Sequence, residues 1–299
     1  MATNATEAWT VGRLLTWTAD FLRDHGSESP RLDAEVLLAH ALGCERIALY
    51  TRFAESANEA TRESFRELVR RRSAGAPVAY LVGHKEFFSL DFEVGPAVLI
   101  PRPDSEFVIT EFLRVAKTRK SVTVIDVGTG SGNLAVVAAH QHSGARVWAT
   151  DRSPQALEVA KRNAKRHGVS DRIEFLEGDL FSPLPQDLRV DCILSNPPYI
   201  PTAEIPQLPV GVREYEPHMA LDGGQTGLEH VERLIAEACR HLNAGGQLII
   251  EIGAPQESAV RALVEACGVY DLEPTIYDYA GHPRVVSARM RPVRPGTLS

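Results

Sequence analysis

The sequence predicts an α/β protein in which a small helical bundle precedes a doubly wound, mostly parallel sheet of seven strands. Three observations favour this fold. Apolar residues recur at helical spacing over residues 10–77, strands alternate with helices from Ser121 onward, and a glycine-rich turn follows the first of these strands. Only a short turn, Ala280-Gly281-His282-Pro283, joins the last two strands, so we expect them to pair as an antiparallel hairpin.

Composition and charge limit the kinds of protein this can be. The 299 residues leave room for one large domain plus a smaller one, or for two ordinary domains. Hydrophobic residues make up 44% of the chain and charged residues 24%, which is typical of a soluble globular protein. Because the formal net charge is −7, the chain carries no global basic field that would attract DNA or RNA. No direct nucleic-acid partner is therefore expected.

The cysteines and the first thirty residues indicate in which cellular compartment the protein acts. Cys44, Cys192, Cys239 and Cys267 are widely spaced and lie among apolar residues, which predicts buried free thiols in a reducing compartment and no metal site. The chain does not start with a basic segment followed by an apolar core, and no apolar run approaches the roughly 18 residues of a membrane helix. We expect a cytoplasmic protein without membrane segments that acts as a monomer.

Residues 1–77 are predicted to form the helical bundle domain. One apolar stripe covers residues 11–22 and stops at Gly26, a second helix begins near Pro30 and ends before Gly43, and a third covers residues 58–73. The third helix carries an arginine cluster, which is either a solvated helix face or a docking surface for an acidic partner: Arg66, Arg70, Arg71 and Arg72.

Residues 78–100 are predicted to be a β-hairpin linker between two domains. Apolar and polar residues alternate toward the end of residues 86–94, and Gly95-Pro96 then interrupts the pattern. The remaining residues, 101–299, would form the α/β domain, which opens with a helix after Pro103.

Seven strands and four further helices are predicted in the α/β domain. The strands cover residues 122–127, 146–150, 172–176, 190–194, 247–252, 272–277 and 284–290, and the helices cover 134–142, 154–167, 229–242 and 257–267. Residues 200–227 lack periodicity and are rich in Pro and Gly, so we expect them to form a lid over the site.

The glycine-rich turn after the first strand predicts a nucleoside site. Glycines let the backbone pass close to a ligand, and the amides of the helix that follows favour a negative group. The Gly-x-Gly-x-Gly spacing suits a nucleoside with an amino-acid tail better than a pyrophosphate. The candidate cofactor-binding residues here are Gly128, Thr129, Gly130, Ser131 and Gly132.

The next two strand ends carry further candidates for holding this nucleoside. Asp151 ends the second strand about 20 residues on, where a carboxylate can accept from both ribose hydroxyls, although it could instead cap the following helix. At the third strand end, Asp179 could accept from an adenine amine while Leu180 or Phe181 covers the ring. An ordinary turn with an apolar anchor is the alternative reading.

The end of the fourth strand predicts a recognition site for a planar amide or amino group. Two consecutive prolines fix their own backbone angles and cannot donate hydrogen bonds, and Asn196 before them is held extended. The tip Asn196-Pro197-Pro198-Tyr199 therefore presents an amide, bare carbonyls and an aromatic ring to one small volume.

These motifs together resemble the class I S-adenosylmethionine-dependent methyltransferases, which have a Rossmann-like fold and here would act on a planar nitrogen. Asn-Pro-Pro-Tyr is shared with DNA adenine-N6 methyltransferases. Six segments in the same order closely resemble the peptide chain release factor glutamine N5-methyltransferases, a likeness that covers roughly residues 10–290: 99–106, 127–132, 214–217, 220–224, 251–253 and 284–286. This chain departs from that family at Gln225 and Thr226, and its Asp104-Ser105-Glu106 segment replaces a more usual pairing with threonine.

The resemblance implies methyl transfer from S-adenosylmethionine to the glutamine of the Gly-Gly-Gln motif of class 1 release factors, which would tune translation termination. It implies that the Asn196 side-chain oxygen and the Pro197 carbonyl accept the two amide hydrogens, that Pro198 helps bind the substrate, and that Tyr199 packs on the amide. Asn196 would also contact the cofactor, and residues 1–77 would grip the release factor. An adenine-N6 nucleic-acid methyltransferase and a non-catalytic release-factor-binding module remain the alternatives.

Overall fold

The computed structural model describes residues 8–292 of the chain. These residues divide into two compact units. Of the described residues, the helical unit comprises 8–83 and Pro209–Tyr215, and the α/β unit comprises His84–Leu208 and 216–292. Among the described residues, no helix is both long enough and apolar enough to cross a bilayer.

The three helices expected in the first 77 residues are confirmed. Side chains cap the N-termini of two of these helices: Thr10 accepts from Arg13 N, and Asn58 accepts from Thr61 N. Gly43 ends the second in the left-handed conformation that glycine adopts without strain. Two short helices escaped the sequence analysis, and the unit contains α1 (Val11–Asp24), α2 (Pro30–Leu42), α3 (Ala48–Thr51), α4 (Glu59–Ser73) and α5 (Val78–Val82).

The arginine cluster of α4 is partly committed to structure inside the helical unit. Arg72 donates to the nearly buried Asp33 at 2.8 Å, so it ties α4 to α2. Arg70 pairs with Glu67 one turn away, and both side chains are exposed. Arg72 is therefore a packing residue, whereas Arg70 is exposed and leaves both readings of the cluster, solvated face and docking surface, open.

The predicted hairpin opens the α/β unit. β1 (His84–Phe87) and β2 (Leu90–Glu93) pair antiparallel, and the turn residues Phe88 and Ser89 both have positive φ. Positive φ at both central residues matches the right-handed twist of the strands, as in a type I′ turn. A hairpin therefore forms within the predicted segment 78–100, but Val78–Val82 at its start is helical. That residues 78–100 link two domains stays a prediction.

The expected sheet forms, with five parallel strands and an antiparallel end. Its strand order is β5-β4-β3-β6-β7-β10-β8, with β9 also paired to β10. Every pair from β5 to β7 is parallel, and β10 runs antiparallel to β7, β8 and β9. The strands are β3 (Val122–Val127), β4 (Ala145–Asp151), β5 (Ile173–Glu177), β6 (Val190–Ser195), β7 (Leu242–Glu251), β8 (Tyr270–Leu272), β9 (Ile276–Tyr277) and β10 (Pro283–Met290).

One predicted strand is divided in two. Residues 272–277 were expected to form a single strand, but β8 and β9 are separate segments on either side of Pro274. Proline has no amide hydrogen to donate to a neighbouring strand, so it interrupts the pairing. The seven predicted strands therefore correspond to eight among the described residues.

Helices cover both faces of the sheet and enclose two apolar cores. One core includes Phe92 and Phe112, and the other includes Ile193 and Leu234, all fully buried. The helices of this unit are α6 (Glu106–Ala116), α7 (Asn133–Gln141), α8 (Pro154–Arg166), α10 (Glu229–Ala238) and α11 (Glu257–Cys267). The short α9 (Val210–Arg213) belongs to the helical unit.

Residues 200–227 are less irregular than their sequence indicated. Three short helical segments lie in this stretch: Thr202–Gln207, α9 and His218–Ala220. Within the helical unit, the Tyr215 hydroxyl lies 3.4 Å from the Ala74 carbonyl oxygen. Whether residues 200–227 close as a lid stays a prediction.

Asn163 of α8 fastens the hairpin to the body of the α/β unit. Its side chain is fully buried, accepts from Glu93 N at 2.7 Å and donates to the carbonyls of Glu93 and Ser131. We expect Asn163→Ala to lower the free energy of unfolding by about 2–4 kcal/mol, because three backbone groups would lose their partner. Urea unfolding followed by circular dichroism measures this.

The matched control is Asn243→Ala, at an exposed position of β7. It should change the unfolding free energy by less than about 0.5 kcal/mol. Equal effects of the two substitutions would contradict the role given to Asn163.

Candidate active site

The candidate site lies at the C-terminal edge of the parallel strands. Because β3, β4, β5 and β6 run parallel, the loops that follow them meet at one edge of the sheet. A cavity at this edge takes residues from all four loops. Its lining includes ten of the predicted site residues: Gly128, Thr129, Gly130, Ser131, Asp151, Asp179, Leu180, Asn196, Pro197 and Pro198.

The glycine loop, residues 128–132, is shaped by backbone angles that only glycine adopts easily. Gly128 and Gly130 line the cavity with φ of +72° and +54°, and a Cβ added at either would have no heavy atom within 4 Å. A side chain at these positions would therefore occupy the cavity itself, which makes the loop a cradle for a closely approaching ligand. That Gly128 and Gly130 bind the cofactor stays a prediction.

Gly132 has a different role from the one its motif suggested. It is not among the cavity-lining residues, and a Cβ there would lie 3.0 Å from the Ala160 Cβ and 3.2 Å from its Cα. The residue thus allows the loop to pack closely against α8. A packing role of this kind depends on a contact that spacing alone does not reveal.

Asp126, in β3, stabilises the glycine loop through hydrogen bonds. Its carboxylate accepts from the Thr129 hydroxyl at 2.6 Å and from Ala135 N at 3.1 Å. Burial raises the pKa of Asp126 to about 7, although both hydrogen bonds oppose this rise. The two hydrogen bonds of Asp126 therefore fix the loop to the start of α7.

Asp151 both supports the loop and faces the cavity. Its Oδ2 accepts from Gly130 N at 2.8 Å, and its Oδ1 accepts from Ser153 N at 2.9 Å. The cap of α8 comes instead from the Ser153 hydroxyl, which accepts from Ala156 N. Burial raises the pKa of Asp151, while the backbone donors oppose the rise. Each carboxylate oxygen keeps a second lone pair, so acceptance from ribose hydroxyls remains open to it.

The loop after β5 presents Leu180 rather than Phe181. Leu180 lines the cavity with φ of +49°, a strained angle for this residue, and its carbonyl accepts from the Thr150 hydroxyl at 2.9 Å. Phe181 is buried and stacks on His241 with ring centroids 5.2 Å apart. Leu180 is therefore the side chain that can cover a bound ring.

Asp179 lies in the cavity wall but already has a cationic partner. Arg233 donates to its Oδ2 at 2.7 Å, and Arg152 lies 3.9 Å from its Oδ1. This pairing was not foreseen from the sequence. Acceptance from an adenine amine would have to share the carboxylate with Arg233.

The tip after β6 is anchored at its base and at its amide. The Ser195 hydroxyl donates to the Val127 carbonyl at 2.8 Å, which joins the ends of β6 and β3. Asn196 Nδ2 donates to the Ser105 hydroxyl at 3.0 Å. Pro197 and Pro198 line the cavity beside it. The amide and the glycine loop thus border the same space.

Tyr199 is not among the lining residues, although it was predicted to contact substrate. Its phenol oxygen lies 3.5 Å from Glu251 Oε1, and its carbonyl accepts from Gln256 Nε2 at 3.0 Å. Burial, followed by the charge of Glu251, raises the pKa of Tyr199 above its usual range. Its packing on a substrate amide stays a prediction.

Sequence reasoning missed several residues that border this cavity. They include Arg102, Ser105, Met219 and His230. Met219 lies in the predicted lid, and the other three come from segments that were given no role in binding. Ser105 lies in a segment that carried the family resemblance, and this was the only available signal for it.

The fold and the cavity define a class I S-adenosylmethionine-dependent methyltransferase. Residues 118–270 match the family model described as a methyltransferase domain, and residues 13–83 match that described as the PrmC N-terminal domain. A release factor glutamine methyltransferase from Rhodopirellula baltica is 49% identical over 283 residues, covering 93% of this chain and 96% of the relative. The chain belongs to the release factor glutamine methyltransferase family.

Two further comparisons agree with this placement. A release factor glutamine methyltransferase from Moorella thermoacetica is 47% identical over 266 residues, covering 89% of this chain and 93% of the relative. Among solved structures, a methyltransferase from Pyrococcus furiosus superposes with a TM-score of 0.50 at 21% identity, covering 76% of this chain and 98% of that one. At this identity, the structural likeness concerns the fold alone.

Proposed function

We propose that this chain transfers a methyl group from S-adenosylmethionine to the side-chain nitrogen N5 of the glutamine in the Gly-Gly-Gln motif of class 1 peptide chain release factors. The observation that carries the proposal is the shared cavity, in which the glycine loop and Asp151 border the same space as Asn196, Pro197 and Pro198. The relatives' names, which specify release factor glutamine, support the choice of substrate.

The residues present fit the methyl donor. Gly128 and Gly130 leave room for close approach of the backbone, Asp151 would accept from the ribose hydroxyls, and Leu180 would cover the adenine. When bound, S-adenosylmethionine supplies a methyl group on a sulfonium sulfur, a strong electrophile, and leaves as S-adenosylhomocysteine.

Asn196 and Pro197 would orient the nitrogen that attacks. An amide nitrogen is a poor nucleophile because its lone pair is delocalised into the carbonyl. Hydrogen bonds from its two N–H groups to Asn196 Oδ1 and the Pro197 carbonyl would align it and increase its electron density. As the new N–C bond formed, the C–S bond would break and the nitrogen would lose one proton to water, so that the product amide is neutral. Such alignment is worth at best about 7–11 kcal/mol of the barrier.

Binding of the release factor and catalysis would be carried out by different parts of the protein. We propose that residues 1–77 grip the release factor, that residues 78–100 link the domains and that residues 101–299 carry catalysis. We further propose a monomer acting in the cytoplasm on protein and not on nucleic acid. The net charge of −7 and the four free cysteines support this setting.

A labelled methyl donor tests the proposal. We expect label to enter a class 1 release factor, and we expect none to enter the same protein with the Gly-Gly-Gln glutamine replaced by alanine. Duplex DNA serves as the third substrate and should stay unlabelled.

Each other outcome points to a specific alternative. Label in the glutamine variant would show that a different group is methylated. Label in DNA alone would establish the adenine-N6 reading, and binding of the release factor without any transfer would favour a non-catalytic module.

A further inference from the structure

A chain of hydrogen bonds runs from the Asn196 amide into the interior of the α/β unit. Asn196 Nδ2 donates to Ser105 Oγ at 3.0 Å, and Ser105 Oγ donates to Glu251 Oε2 at 2.5 Å. Ser105 and Glu251 are each 1% exposed, so bulk water does not compete for these bonds. The three residues come from the segment before α6, the end of β7 and the loop after β6.

The number of available protons fixes which group donates and which accepts in each of these two hydrogen bonds. A serine hydroxyl has one proton, and an ionised carboxylate can only accept. When Glu251 is ionised, the Ser105 proton must point to Glu251, and a lone pair of Ser105 Oγ is left facing Asn196. That lone pair requires the NH₂ group of Asn196 as its partner, because a reversed amide would place two acceptors against each other.

We propose that Ser105 and Glu251 are positioning residues that set the orientation of the Asn196 amide, so that its oxygen is the atom offered to the substrate nitrogen. The inference rests on the proposed function, in which Asn196 must accept from the glutamine amide. A reversed Asn196 would present its own NH₂ to the NH₂ of the substrate, and neither could accept.

The orientation depends on the charge of Glu251. Burial raises the pKa of Glu251 to about 7, with Asp104 adding to the rise and Ser105, Arg284 and Tyr199 opposing it. Of these, Asp104, Arg284 and Tyr199 are the charged or titratable groups that act on the Glu251 carboxylate. Once protonated, Glu251 can donate to Ser105, which frees the Ser105 proton to turn toward Asn196 and reverse the amide. Transfer should therefore weaken as the pH falls below about 7.

Two substitutions at Ser105 separate positioning from packing. In the full-length protein, Ser105→Ala should lower kcat for release-factor methylation roughly tenfold to a hundredfold, since the Asn196 amide loses its partner. Ser105→Thr keeps the hydroxyl and should restore most of the rate. Ser170→Ala, at an exposed position, is the control and should leave kcat unchanged. S-adenosylmethionine affinity, measured by calorimetry, should stay within about twofold in all three.

Glu251→Gln tests the charge. A glutamine can donate to Ser105 at any pH, so we expect a low kcat throughout and no acid limb of the kind expected for the wild type. Full activity of Ser105→Ala, or an unchanged acid limb in Glu251→Gln, would overturn the inference. The kcat of each variant relative to the wild type tests the positioning role of Ser105 and Glu251. If the wild type itself transferred no methyl group, only the proposed function would be contradicted.

A substrate-free measurement keeps the two questions apart. The Asn196 side-chain NH₂ resonance of isotopically labelled protein should shift between pH 6 and pH 8, on either side of the Glu251 pKa of about 7. The same resonance should not shift in Glu251→Gln. If this resonance did not shift with pH in the wild type, the proposed hydrogen-bond chain from Glu251 through Ser105 to Asn196 would be contradicted, independently of any activity measurement.

Discussion

Replacing Asn196 with alanine is expected to lower kcat/KM for methylation of the release-factor glutamine by about a hundredfold to a thousandfold. Losses of this size follow the removal of one preorganised hydrogen-bonding group from a reacting centre. Without Oδ1, one N–H of the substrate would lose its acceptor, and the nitrogen would be held only by the Pro197 carbonyl. Steady-state kinetics with a labelled methyl donor and a full-length release factor measures the effect.

The control separates this loss from general damage to the fold. Asn243→Ala removes the same side chain from an exposed position on β7 and should retain wild-type kinetics. For Asn196→Ala, the affinity for S-adenosylmethionine should fall much less than kcat. A wild-type rate in Asn196→Ala would exclude this residue from catalysis.

Gly130→Ala should weaken S-adenosylmethionine binding by at least about tenfold. A Cβ at Gly130 would enter the cavity, and φ of +54° is strained for alanine by roughly 1–2 kcal/mol. Strain could also open the bond from Gly130 N to Asp151, which would disturb a second cofactor contact. Isothermal titration calorimetry with S-adenosylmethionine measures the dissociation constant directly.

Gly168→Ala is the matched control for backbone strain. Gly168 follows α8 with φ of +67°, and a Cβ there would also have no heavy atom within 4 Å. The two variants should lose similar stability in thermal unfolding, and only Gly130→Ala should lose affinity. Unchanged binding in Gly130→Ala would mean that the glycine loop does not hold the donor.

Much of the fold is predictable from local sequence. The strand at 122–127 is confirmed to the residue, and the α11 helix likewise, because their apolar patterns and end signals lie within the segments themselves. The glycine loop and Asp151 could be paired in advance since parallel strands place their C-terminal ends at one edge. Where the strands are parallel, residues far apart in the sequence can therefore be predicted to lie together.

Contacts between distant segments were not predictable in this way. Ser105 and Glu251 are 146 positions apart, and nothing in their own residues indicates that they meet. The packing of Gly132 on Ala160 and the pairing of Asp179 with Arg233 are of the same kind. Pro274, by contrast, was a visible local signal for the break between β8 and β9, and weighing it would have corrected the strand prediction.

The proposed chemistry is tested most directly by locating the transferred methyl group. A class 1 release factor is incubated with this protein and S-adenosylmethionine, digested and sequenced by tandem mass spectrometry. We expect the fragment ions to place one added methyl group on the side chain of the Gly-Gly-Gln glutamine. A methyl group on any other residue, or an unmodified glutamine after incubation with active protein, would contradict the proposed function.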